Sequence, residues 1–310
     1  MDAQTLQPAQ IQKRRQALSK LTLTQRRYLF AAILIAPVVL LRLFTTLYPF
    51  IRTVYLSTQS YNPAFPPQRF IGLGNFERLF SDIVVRESIS FTLMFALIST
   101  FFELLFGLAI AHLLNANFRL RGLARTINLI PWAIPMVVVA IVFRWMLDGQ
   151  FGLSPDLLGR FGVEHRWLLD PYNARASVLM VNIWKNAPFA AMLLLAGMQG
   201  IPHDLYEAAR VDGANWLHQL RFITVPLLLP VIVSVGMFLV IWQIAAFDLP
   251  FVMTGGGPGF ATTVFAQKIF LEVTSLNYGY ASALGMMMVF AVIVIGGVGL
   301  WLFKRVEVSH

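Results

Sequence analysis

The sequence predicts an all-α membrane protein of about six transmembrane helices, with both termini and one long polar loop on the cytoplasmic side. Three observations predict it. Of the 310 residues 57% are hydrophobic and only 13% charged, whereas soluble domains carry about a quarter charged residues. Six apolar stretches reach the roughly 20 residues that a helix needs to cross a bilayer core. The basic residues sort to one side of the topology that those stretches create.

The first 27 residues hold Lys13, Arg14, Arg15, Lys20, Arg26 and Arg27 against a single acid, Asp2. They read as a basic cytoplasmic tail. The apolar run from Tyr28 to Tyr48 is longer than the core of a cleavable leader and ends in bulky "TLYPF". It therefore reads as a retained first span. Further stretches at 88–114, 123–147, 176–199, 226–247 and 281–303 complete a transmembrane domain over 28–303, and 304–310 form a second cytoplasmic tail. No segment between them is long or polar enough for a separate soluble domain.

Orientation follows from the charges. The tail, Arg119, Arg121, Arg125, Arg210, Arg221, Lys304 and Arg305 fall on one side. Arg52, Arg69, Arg78, Arg86, Arg160, Arg166, Arg175 and Lys268 fall on the other, and the acids run the opposite way. The richer side is cytoplasmic by the positive-inside rule. The net charge of +9 thus marks a membrane surface, not a nucleic-acid partner. The loops 49–87, 148–175 and 248–280 lie outside. The last contains "TGGGPG" (254–259), a turn-forming cluster. It is not a phosphate-binding loop, because Lys-Ser/Thr does not follow and the topology places it externally.

The chain contains no cysteine, which excludes disulfides, thiolate zinc sites and cysteine nucleophiles. His112, His165, His203, His218 and His310 form no ligand-spaced pair, and no Ser/His/Asp set is evident. Neither a metal site nor a catalytic residue is expected.

The stretch 202–226 is polar where it begins and apolar where it ends. Asp204 and Glu207 fit an acidic capping box opening a helix over 205–212. Gly213 suits a left-handed end to that helix, and Asn215 suits the cap of a second one carrying Trp216, Leu220 and Ile223 on one face. Pro226 then marks the start of the next span. On these grounds alone the segment is an amphipathic connector. Its spacing is more specific. Glu207-Ala208-Ala209, Gly213 after three residues, Ile223 after nine more and Pro226 after two resemble the EAA loop of bacterial ABC importer permeases. The one departure is Val225, where leucine is usual. "FIGLGNFERLF" (70–80), "LIPWAIPMVVVAIVFRWML" (129–147), "VNIWKNAPF" (181–189) and "TGGGPG" resemble the carbohydrate-uptake, maltose-type branch, and within it the MalF-like subunit. The extra amino-terminal spans and large external insertion of the maltose protein itself are missing.

That resemblance implies a bacterial inner-membrane permease subunit that passes a sugar inward from a periplasmic or lipid-anchored binding protein. It implies a second, MalG-like permease and two ABC ATPases as partners. Mg-ATP would be bound by the ATPases, with no cofactor in this chain. Glu207, Ala208, Ala209, Asp212 and Gly213 would form the coupling element that docks on an ATPase. The plainer alternative for Glu207 is that it caps its own helix.

Polar side chains inside spans are costly and point to function. Asn182 and Asn186 lie one turn apart on the fourth span, with Lys185 beside them; Gln243 lies on the fifth. Trp132 and Met136 share a face of the third. By resemblance these positions line the central cavity, where a ring face would stack on a sugar and the amides would bond its hydroxyls. The alternatives are structural: Asn182 hydrogen-bonding a neighbouring helix, Trp132 and Met136 as packing, and Lys185 paired with Glu103 or Asp248. A rival class is an ion-coupled secondary transporter, which needs intramembrane acids or broken helices. Glu103 is the one acid well inside a span, and that reading has no use for the EAA spacing.

Overall fold

Residues 22–162 and 166–308 are described by a computed structural model, so most of the basic tail, with Glu164, His165 and His310, lies outside the described residues. The chain divides into two compact units, 1–55 and 56–310. Helix α1 runs from Leu23 to Ser57. It begins ahead of the apolar run because Thr22 and Gln25 cap it reciprocally, at 3.3 and 2.9 Å. A π-helical turn, Leu43–Leu47, precedes Pro49. The same device recurs at Leu220–Thr224, ahead of Pro226. A proline ring crowds the carbonyl four residues back, and a widened turn relieves that crowding.

In the second unit, strands β1 (Gln59–Ser60) and β2 (Arg69–Phe70) pair antiparallel. Helix α2 (Gly74–Ser81) leads into α3 (Ile83–Asn115), followed by α4 (Arg121–Ala133) and α5 (Met136–Met146). Then come α6 (Leu153–Gly159), α7 (Pro171–Met198), α8 (His203–Val211) and α9 (Trp216–Ile244). Helices α10 (Asp248–Thr254), α11 (Phe265–Thr274) and α12 (Tyr278–Val308) complete the chain. Five helices, α1, α3, α7, α9 and α12, are long and apolar enough to cross a membrane. The third expected span is not continuous: α4 and α5 meet at an 81° bend. The cause is local. Pro135 disfavours the helical region at Ile134, which is extended at φ −71°, ψ 134°.

Helices α3 and α7 form the central pair. A Cβ on Gly107 would stand 3.0 Å from Ala190 Cβ and 3.1 Å from Ala191 N, so glycine there allows the two backbones to approach. One core cluster joins Phe91 and Phe95 of α3 to Val139 of α5, Val178 of α7 and Leu249 of α10. A second joins Ala111 of α3 to Leu194 of α7 and Leu228 and Leu239 of α9. A third, around Leu79, Val85, Phe265 and Leu284, binds α2, α3, α11 and α12 at the end away from α8.

That last cluster carries a polar clamp. Lys268 Nζ bridges Asp82 at 3.1 Å and Glu272 at 2.6 Å, and Tyr280 Oη donates to Asp82 at 3.0 Å. Asp82 also caps α3, accepting from the amides of Val84 and Val85. Burial pushes its carboxyl up, but the hydrogen bonds from Lys268 and Tyr280 and the charge of Lys268 outweigh it, holding Asp82 below its ordinary range. The "TGGGPG" cluster is more than a bare turn. The carbonyls of Gly255 and Gly256 accept from Gln267 Nε2 and Thr263 Oγ1 at 2.9 and 3.0 Å, seating the loop on the start of α11.

Candidate functional site: a polar cavity and an exposed docking helix

Of the ten residues singled out from the sequence, five gather at one cavity and five on one exposed helix and its turn. The cavity measures about 730 Å³. Trp132, Met136, Asn182, Asn186 and Gln243 all line it, together with Lys185. Trp132 and Met136 do not share a helical face, because the break at Ile134 and Pro135 puts them on different helices; both nevertheless reach the cavity.

The bend explains Lys185. In an unbroken helix the Pro131 carbonyl would accept from the residue at 135, but that residue is a proline with no N–H. Lys185 Nζ supplies the missing donors, bonding the carbonyls of Pro131, Trp132 and Ile134 at 3.2, 2.9 and 2.6 Å. It therefore forms no ion pair with Glu103 or Asp248, contrary to the sequence-based expectation. The pairing was the natural reading of charges alone; orphaned carbonyls arise only once the bend is known. Pro131 and Pro135, one turn apart, were the signal in the sequence.

The amides and Glu103 form a chain across three helices. Asn186 Nδ2 donates to Asn182 Oδ1 at 3.0 Å. Asn182 Nδ2 and Gln243 Nε2 both donate to Glu103 Oε1, at 3.0 and 2.7 Å. Asn182 thus does hydrogen-bond a neighbouring helix, the structural alternative raised for it, while remaining on the cavity wall. Glu103 is fully buried behind the amides, and no cation among the described residues pairs with it.

Trp132, Trp242 and Phe247 make part of the lining aromatic. Trp132 stacks on Phe189 at 4.8 Å and 10° between planes, Phe189 meets Phe238, and Phe238 meets Trp242 at 5.4 Å. Trp132 stays 39% exposed, leaving its other ring face open. Trp242, Phe247 and exposed Asp248 also line the cavity; the two rings were not legible as site residues, because apolar rings in a span look like lipid-facing packing.

The exposed helix is α8. Glu207, Ala208, Asp212 and Gly213 are exposed and Ala209 is half-buried. Gly213 has φ 81°. The Ala214 amide reaches the Ala209 carbonyl at 2.8 Å and the Gly213 amide that of Arg210 at 3.1 Å, a Schellman end that needs the left-handed residue. Asn215 caps α9 through the His218 amide at 2.9 Å. The acidic capping box does not form. Pro202 occupies the cap position, so the helix starts at His203 and Asp204 sits inside the first turn, where its charge favours the helix dipole. Glu207 caps nothing; it lies 3.7 Å from the His203 ring. Nor does α9 begin at Pro226: helix runs unbroken from Trp216 to Ile244, through the π turn.

The chain is similar to known membrane permeases. Sulfoquinovosyl glycerol transport system permease protein SmoG of Agrobacterium fabrum is 39% identical, over 84% of this chain and 85% of that protein. Trehalose/maltose transport system permease protein MalF of Thermococcus litoralis is 35% identical, over 82% of this chain and 87% of that one. A chain in the crystal structure of a bacterial ABC transporter involved in import of the acidic polysaccharide alginate superposes with a TM-score of 0.78 at 25% identity, covering 90% of this chain and 96% of that one. Residues 103–308 match the family described as binding-protein-dependent transport system inner membrane component, and the chain belongs to that family.

Proposed function

We propose that the chain is the membrane permease of an ABC sugar importer, handing a sugar from an external binding protein to the cytoplasm by alternating access. The observation that carries the reading is the exposed helix α8 with its Schellman turn, whose residues Glu207, Ala208, Ala209 and Gly213 hold the EAA spacing. Two relatives bear names of sugar transport systems, and the cavity pairs an open ring face with hydrogen-bonding amides, as sugar binding requires. In this reading Trp132, Met136, Asn182, Asn186 and Gln243 hold the solute. Glu207, Ala208, Ala209, Asp212 and Gly213 engage an ATPase subunit. Both termini and α8 face the cytoplasm of a bacterium. A second, MalG-like permease completes the pathway, and two ATPases bind Mg-ATP and drive it. Family membership and the docking helix disfavour an ion-coupled carrier.

The test is reconstitution of the co-purified complex in liposomes with its binding protein, followed by uptake of labelled trehalose, maltose and sulfoquinovosyl glycerol. ATP-dependent uptake of one of these is expected. Losing one cavity amide in Asn186→Ala or Gln243→Ala, or the ring in Trp132→Ala, removes roughly 1 kcal/mol of interaction and lowers uptake while sugar binding by the external protein is unchanged. Ion-driven uptake by this chain alone, or no uptake of any sugar, overturns the reading.

A further inference from the structure

The geometry points to Glu103 as the residue that sets which way the cavity amides face, and so makes the site one that accepts hydrogen bonds from the hydroxyls of the sugar. This rests on the cavity being the sugar site.

An amide side chain has a donor end and an acceptor end of almost equal size, and only its partners decide which is where. Here the partners run in one direction. Asn186 donates to Asn182, Asn182 donates to Glu103, and Gln243 donates to the same carboxyl oxygen. One carboxyl oxygen accepts from both amides, and a reversed Asn182 or Gln243 would press oxygen against that oxygen in a buried setting, where unmade hydrogen bonds are costly. Each donating nitrogen turns its own amide oxygen the other way. Gln243 Oε1 and Asn186 Oδ1 accept nothing among the described residues, and both side chains line the cavity. They are the acceptors left for a ligand.

Glu103 itself is 0% exposed and does not line the cavity. Its second oxygen, Oε2, is buried and has no hydrogen-bond partner among the described residues, so the carboxyl group is engaged through the cavity amides. It is a positioning residue, acting on the solute only through Asn182, Asn186 and Gln243.

The experiment uses the complete reconstituted complex and whichever of trehalose, maltose and sulfoquinovosyl glycerol the wild type takes up, with that sugar's monodeoxyfluoro analogues. Fluorine keeps the size of a hydroxyl but cannot donate. Two readouts are taken: sugar moved per ATP hydrolysed, and the ratio of hydroxyl to fluoro sugar transport. The wild type is expected to disfavour at least one fluoro analogue. Glu103→Gln keeps an oxygen acceptor at the end of the chain and is expected within about twofold of wild type on both readouts. Glu103→Met has none, and is expected to move about five- to tenfold less sugar per ATP, the weight of about one hydrogen bond. Its hydroxyl preference should be lost, while ATPase stimulation by the loaded binding protein persists.

Unchanged sugar per ATP in Glu103→Met, or a Glu103→Gln variant as impaired as Glu103→Met, overturns the assignment. Should Glu103→Met fail to assemble, Glu103→Gln decides: retained hydroxyl preference supports it and lost preference overturns it. Gln243→Met and Asn186→Met separate the two readings. If they lower sugar per ATP and Glu103→Met does not, only the role of Glu103 falls. If they too leave it unchanged, the cavity is not the sugar site and the inference falls with it.

Discussion

The hydroxyl of Tyr206 on α8 lies 3.0 Å from that of Thr224, in the π turn of α9. Thr224 is fully buried and also donates to the Gln219 carbonyl. The exposed helix is thereby tied to the widened turn from which α9 runs unbroken past Gln243. In the proposed reading, a force applied to α8 would reach the cavity wall through this one continuous helix. Tyr206→Phe removes the tie at a cost of about 1 kcal/mol, and is expected to lower sugar uptake more than ATPase activity in the assembled complex. Equal uptake per ATP in wild type and variant would show that the tie transmits nothing.

Gly213→Val strains the left-handed turn at φ 81° by about 1 kcal/mol or more. Glu207→Ala removes an exposed charge whose one contact within the chain is the exposed His203 ring at 3.7 Å, a pair worth little to stability. Both are expected to reduce co-purification of the ATPase and uptake, with membrane insertion intact. Wild-type uptake and wild-type stimulated ATPase in both variants would remove α8 from the docking role.

Lys185→Met leaves the carbonyls of Pro131, Trp132 and Ile134 without their donor. Each lost hydrogen bond to the ammonium group costs about 1 kcal/mol or more, so the α4–α5 bend loosens and Trp132 loses its fixed place. Uptake of a neutral and an anionic sugar that the wild type carries is expected to change by the same factor. A selective loss of the anionic solute would instead make Lys185 a solute contact.

The clamp at Asp82 carries a pH signature. Its folded-state pKa lies below the unfolded one, so its contribution to stability is full above about pH 4 and is lost as pH falls through the folded value. Asp82→Asn is therefore expected to melt at a lower temperature than wild type at pH 7 and at pH 5, by a similar margin. The margin should narrow in more acidic buffer. Thermal unfolding of the detergent-solubilised complex at each pH checks this, and a margin that grows on acidification contradicts it.

By itself the sequence determined what depends on neighbouring residues. Apolar runs of bilayer length marked the five continuous spans, Gly213 and Asn215 marked the turn between α8 and α9, and the Glu207 to Pro226 spacing marked the segment we propose as the docking element. Each signal is a sum or a pattern over a few adjacent positions, so no distant contact was needed to read it. Local rules erred where two of them competed, as at Asp204, displaced from the cap position by Pro202. Only the tertiary structure decided what Lys185 and Glu103 do. Lys185 meets carbonyls more than 50 positions away, and Glu103 meets amides 79 and 140 positions away. A buried charge in a low-dielectric interior must find donors or acceptors, but which ones it finds depends on the helices packed around it, and that is settled only when α3, α4, α7 and α9 come together.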